Sequence, residues 1–168
     1  MRKPKERFLS KYDGKKYGWF LFAKEFVILL IALAILFNLL IGISRVTGQS
    51  MEPTLVEGEI VLFSRFNLSY ERGDVVMVHM PSGEYYVKRI VALPGDIVTL
   101  EDGCLYVNGQ PQQNGQGDTW EQSGIVTYPY TVELDKYFLV GDNREHSTDS
   151  RTFGALPKSS IQGKILFH

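Results

Sequence analysis

Residues 26–43 form an unbroken run of eighteen uncharged residues in which Asn38 is the one strongly polar position. A helix rises about 1.5 Å per residue, so the run covers roughly 27 Å, near the roughly 30 Å of a hydrocarbon core, and Trp19 and Phe20 can extend it. The pattern predicts an uncleaved transmembrane helix. A cleavable leader carries an apolar stretch of about 7–15 residues and a small-residue cleavage site, whereas Ser44-Arg45-Val46-Thr47 follows here. Beyond residue 43 short apolar or alternating runs are separated by turn signals, with no sustained helical period. Strands are expected at 60–64, 75–80, 84–93, 97–101, 105–107, 130–134, 137–140 and 163–167. Pro81-Ser82-Gly83, Asp102-Gly103 and Asn108-Gly109 supply the turns. The polar Gln/Gly stretch 110–124 reads as a mobile loop or the tip of a β-ribbon. The fold class is therefore mainly β, with one N-terminal transmembrane helix. Its parts are a basic N-terminus (1–25), an anchor (26–43) and a β domain (44–168).

Charge divides the chain in the same way. Residues 1–25 hold eight Lys or Arg against three acids, and residues 45–168 hold ten against sixteen. The positive-inside rule then keeps the N-terminus cytoplasmic and sends the β domain across the membrane. Beside an apolar span, lipid headgroups rather than nucleic acid are the expected partner of the basic stretch. Cys104 is the single cysteine of the chain, and no Cys/His cluster has zinc-like spacing. Neither a disulfide, a metal nor a cofactor is expected. Extended chain from Ile43 to Ser50 reaches at most roughly 25 Å. Ser50 is thus expected near the bilayer, where substrates are membrane-tethered or emerging from a translocon. Phe63, Phe66 and Leu68 are expected as apolar contacts with the lipid.

Two positions carry candidate chemistry. Alternation in the strand 84–93 puts Tyr86, Lys88 and Ile90 on one face and Val87, Arg89 and Val91 on the other. A lysine held among apolar side chains loses hydration, which lowers its pKa and makes the amine a usable general base. Taken from this strand alone, Lys88 can equally end in solvent on an edge strand. Ser50 follows the span in Thr47-Gly48-Gln49-Ser50-Met51-Glu52-Pro53-Thr54. Gly48 permits unusual backbone angles and Pro53 keeps Glu52 extended, so the hydroxyl can be displayed on a rigid, non-helical loop. Taken alone, such a Gly/Ser/Pro stretch also fits a plain juxtamembrane connector.

In combination these segments resemble the bacterial type I signal peptidases, also called leader peptidases, in their short Gram-positive form. Residues 48–55 look like the nucleophile box, Arg72-Gly73-Asp74-Val75-Val76 like the next, and residues 86–96 like the general-base box. The polar string Gly141-Asp142-Asn143-Arg144-Glu145-His146-Ser147-Thr148-Asp149-Ser150-Arg151-Thr152-Phe153-Gly154 is similar to the last throughout. The resemblance implies an antiparallel β-sheet domain, a membrane-bound serine endopeptidase, and exported preproteins with small residues at P1 and P3 as substrates. It implies Ser50 as acyl-forming nucleophile and neutral Lys88 as base, with Ser147 orienting the lysine. Asp149 with Arg151, and Asp142 with Arg89, are implied as structural ion pairs. Some members carry a serine at the position of Gly48; with glycine there, the Ser50 N–H, aided by Gly48, is the expected oxyanion donor. Substrate would pair as an added β-strand, with Met51, Tyr86 and Val87 as pocket or pairing residues. The same resemblance argues against a triad through His146, and His79 and His168 read as structural or incidental. Competing readings are a soluble self-cleaving Ser-Lys repressor, which would need an N-terminal DNA-binding pattern in place of the span, and an anchored β domain that binds exported chains without cutting them.

Overall fold

The computed structural model describes residues 13–66 and 69–167, with side chains from 18 to 166. Helix α1 (Asp13–Leu40) contains the segment Gly18–Leu40, 23 residues long and apolar enough to cross a membrane, with none of its window buried. At about 1.5 Å per residue that segment measures roughly 34 Å. Asn38 is accommodated because its Nδ2 donates to Ala34 O, one turn back, at 3.0 Å, so the amide makes a bond within the helix itself. Residues 41–43, expected in the span, belong instead to strand β1 (Ile41–Arg45). Two β-branched isoleucines flanking Gly42 favour an extended chain.

The second unit starts at Leu40. Its further strands are β2 (Ile60–Ser64), β3 (Val75–His79), β4 (Tyr85–Ala92), β5 (Ile97–Glu101), β6 (Cys104–Val107), β7 (Gln110–Pro111), β8 (Tyr130–Thr131), β9 (Lys136–Val140), β10 (Leu156–Pro157) and β11 (Ile161–Phe167). Among the described residues of this unit, the one α-helix, α2, is the single turn Ser150–Phe153. A seven-stranded sheet runs β1-β2-β11-β3-β4-β9-β10 and a four-stranded sheet runs β7-β6-β5-β8. All strand pairs are antiparallel. The turns expected at Asp102-Gly103 and Asn108-Gly109 have positive φ at both residues, which gives the backbone twist a two-residue hairpin needs.

Strand β4 positions the site. It pairs with β3 from Val75↔Arg89 to His79↔Tyr85 and with β9 at Arg89↔Val140 and Ile90↔Leu139. The register then shifts before Ala92↔Phe138. Alternation holds as far as Ile90, after which Val91 and Ala92 are both buried, as expected of a bulge. Three apolar clusters form the core, around Ile90 and Leu139, around Val98 and Phe138, and around Met51, Leu55 and Val61. Phe63 lies in the third cluster and is 6% exposed. It stands opposite Gly42 across the β1–β2 ladder, and its ring fills the space the glycine leaves, so it is a core residue rather than a lipid contact. Phe66 is exposed, and Leu68 lies outside the described residues. Of the segment 110–124, Gln110–Pro111 pairs with β6 as strand β7, while the part from residue 114 on lies against residues 142–152, with Gln116 N donating to Asp142 O at 2.6 Å and Arg144 N to Gln116 O at 3.0 Å.

Candidate active site

Lys88 stands on β4 with its side chain enclosed: the residue is 3% exposed. Its Nζ donates to Ser50 Oγ at 2.7 Å and to Ser147 Oγ at 3.1 Å. It also lies 5.5 Å from the centroid of the Tyr86 ring. Burial drives the lysine pKa down to about 8, opposed by the nearby carboxylates of Asp149 and Asp142 and assisted by Arg151. Desolvation prevails because Asp149 is already engaged by its own guanidinium.

That engagement continues outward from the lysine. Ser147 Oγ donates to Asp149 Oδ2 at 2.6 Å, which leaves its lone pairs for the Lys88 amine. Arg151 Nε and Nη2 each reach Asp149 at 2.9 Å, and Gly141 N donates to Asp149 Oδ2 at 3.0 Å. Asp149 also caps α2 by accepting from Arg151 N, so one carboxylate fixes the helix turn and the serine hydroxyl together. Arg89, next to the lysine on β4, forms a two-point pair with Asp142 at 2.8 and 2.5 Å and donates to Gly73 O at 2.7 Å. The backbone around Gly73 and Asp74 exchanges hydrogen bonds with Ile90. Beyond β4, Asp96 accepts from Arg72, Leu93 N and Asn108. Burial would raise its pKa, but these donors hold it below the usual carboxylate value. The C-terminal end of the lysine strand is thereby tied down.

Ser50 comes from the turn after β1. Its carbonyl accepts from Asn143 N at 3.0 Å, which joins the serine loop to the segment bearing Ser147. Gly48 has φ +82 and open space where a side chain would stand. A serine there would adopt a left-handed backbone, which costs about 1–2 kcal/mol for an L-residue. Among the described residues, the amides of Gly48 and Ser50 donate to no protein acceptor. They border a cleft of about 560 Å³, whose walls include Met51, Tyr86, Val87 and Lys88.

The candidate catalytic, supporting, oxyanion and substrate-binding residues therefore lie in or directly behind one cleft. His146 is on its rim, bonded at 3.3 Å to Asn143, while the partner of the Ser50 hydroxyl is Lys88. His79 instead packs against the Tyr85 ring, and His168 is outside the described residues. Among the described residues no group of His, Cys, Asp or Glu is placed to hold a metal ion. Sequence reasoning gave no role to Gly141. A β-carbon there would collide with Ser147 Oγ and with the carbonyl of Ser50, so only glycine lets the two serines approach. The close approach is tertiary, and no local pattern announces it.

Residues 19–168 match the family model described as "Signal peptidase, peptidase S26". The chain belongs to this signal peptidase family. It is 32% identical over 170 residues to signal peptidase IB of Staphylococcus aureus, covering 86% of this chain and 89% of that protein. It is 33% identical over 167 residues to signal peptidase I P of Bacillus subtilis subsp. natto, covering 92% and 90%. A crystal structure of a signal peptidase I from Enterococcus faecalis shares 30% identity over 59% of this chain and 97% of that one, with a TM-score of 0.47. As a signal peptidase the chain is a peptide hydrolase, its substrates are preproteins that carry signal peptides, and α1 is consistent with a membrane anchor.

Proposed function

We propose that this signal peptidase works through a Ser50–Lys88 dyad, without metal or cofactor. One observation carries the reading: a nearly unexposed amine lies 2.7 Å from a hydroxyl that borders an open cleft. The neutral amine takes the hydroxyl proton as Ser50 Oγ adds to the scissile carbonyl carbon. Collapse of the adduct breaks the peptide bond, and the departing amine of the mature chain receives the proton from the Lys88 ammonium. The ester left on Ser50 is then attacked by water, whose proton passes to Lys88 and back to Ser50 Oγ as the signal peptide is released. The Ser50 and Gly48 amides, free of protein acceptors, are the oxyanion donors; one such donor is worth about 10²–10³ in rate. Ser147 orients the amine, Asp149 and Arg151 orient Ser147, and Asp142 with Arg89 holds β4 in place.

The substrate enters as an extended strand along the cleft and presents backbone to Tyr86 and Val87. Met51, Tyr86 and Val87 shape the subsites for small P1 and P3 side chains. The N-terminus lies in the cytoplasm and the catalytic unit outside, where preproteins emerge from the translocon; the basic residues ahead of α1 support that orientation. The detergent-solubilised full chain, incubated with a preprotein bearing an Ala-x-Ala site, is expected to cleave after the second alanine. Ser50→Ala and Lys88→Ala are expected to lose cleavage, and either variant working at the parental rate would refute the dyad.

A further inference from the structure

We propose that Gln122 is a positioning residue for the reaction, holding Ser147 against Lys88 from a segment far away in sequence. The inference rests on the Ser-Lys reading of the site. Ser147 is the lysine's second partner, and the side-chain bonds of Asp149, Ser150 and Arg151 that fix the turn 147–154 run to one another or to residues 139–147 just ahead of them. Gln122 is different. Its Nε2 donates to Ser147 O at 2.7 Å, while its Oε1 accepts from Thr152 Oγ1. One amide thereby staples the two ends of the turn that carries Ser147, Asp149 and Arg151, across 25 and 30 residues of sequence.

The neighbouring backbone fits the same role. Ile125 N donates to Thr152 O at 3.0 Å, and Gly124 approaches Thr152 so closely that any β-carbon would strike its backbone. Without the staple, Ser147 O keeps only the longer bond from Arg151 Nη2 at 3.3 Å. The turn can then withdraw, and water enters beside the amine. Such a change lowers the rate by misplacing the base, and it restores hydration to the ammonium, which moves the titration of Lys88 back toward that of a free lysine.

The test compares kcat, KM and the pH profile of kcat for the full-length parent, Gln122→Ala, Gln122→Glu, Thr152→Val and the double variant Gln122→Ala/Thr152→Val. Gln113→Ala, an exposed glutamine of the same loop, serves as control and Ser50→Ala as reference. Gln122→Ala is expected to lower kcat about tenfold to a hundredfold with KM unchanged and to move the acid limb upward. Gln122→Glu, which keeps the acceptor for Thr152 but has no donor for Ser147, behaves alike. Thr152→Val shows a smaller loss in the same direction, and the double variant is no worse than Gln122→Ala. An acid limb superposed on the parent's in these variants overturns the inference whatever happens to the rate, because partial unfolding lowers amplitude without moving a titration. A kcat within twofold of the parent overturns it too. Should Gln122→Ala fail to fold, Gln122→Glu and Thr152→Val decide by the same two readouts. Full activity in Ser50→Ala would instead refute the dyad itself.

Discussion

If Ser50 and Lys88 form the proposed dyad, an ammonium at Lys88 cannot accept the Ser50 proton, and the working fraction of the enzyme follows the titration of this one amine. Burial brings its pKa to about 8, against about 10.4 for a free lysine. The activity profile is expected to rise through an acid limb near pH 8, and a limb near 10.4 would contradict the enclosure of the side chain. The same shift links to stability with a definite sign. The unfolded chain binds the proton more tightly, so stability rises with pH between about 8 and 10.4, and the full cost of burying the amine is borne below that window. A second residue makes the point about close approach. Gly141→Ala would drive a methyl group between Ser147 Oγ and the Ser50 carbonyl, and we expect cleavage to fall by about 10² or more, read as kcat on the folded variant. Ser50 and Lys88 were legible because their neighbours in sequence are distinctive. Gly141 and Gln122 were not, because their contacts are made with atoms supplied by a remote part of the chain.

Elements with a clear period were equally legible. Alternation and turn residues located β2, β3, β4, β5 and β6 to within a residue or so. β1 escaped because Ile41 and Ile43 continue the apolar run of the helix before them, and composition alone cannot divide one from the other. β7 and β10, with two residues each, are too short to show any period. The short turn of α2 depends on its cap and its ion pair rather than on intrinsic helix preference. Arg151 is 2% exposed, Asp149 0%, and Arg151 also donates to the carbonyls of Arg144 and Ser147. Removing the cation alone leaves a buried carboxylate with its hydrogen bonds from Ser147 and Gly141 but without its counter-charge. Arg151→Met is therefore expected to destabilise the protein by about 3–5 kcal/mol, measured by urea unfolding of the detergent-solubilised chain. A loss under about 1 kcal/mol would mean that the pair contributes little to the fold.

For the whole molecule, the sequence made plain both the apolar helix and the β unit that follows it. The orientation proposed from the basic residues has a direct test. Protease added to intact protoplasts should degrade the unit beginning at Leu40 and spare an epitope placed at the N-terminus, and the reverse pattern would invert the topology. An amine as base, as the proposed mechanism has it, carries one more consequence for a protein that must work wherever its cell does. Alkylammonium ions release their protons with a large uptake of heat, so the pKa of such a group declines on warming. With a value of about 8, about a tenth of the molecules hold the free amine at pH 7, and that share grows as temperature climbs. On the proposed mechanism, warming is expected to increase the competent fraction at constant pH, in addition to any faster passage over the barrier, and cooling to reduce it.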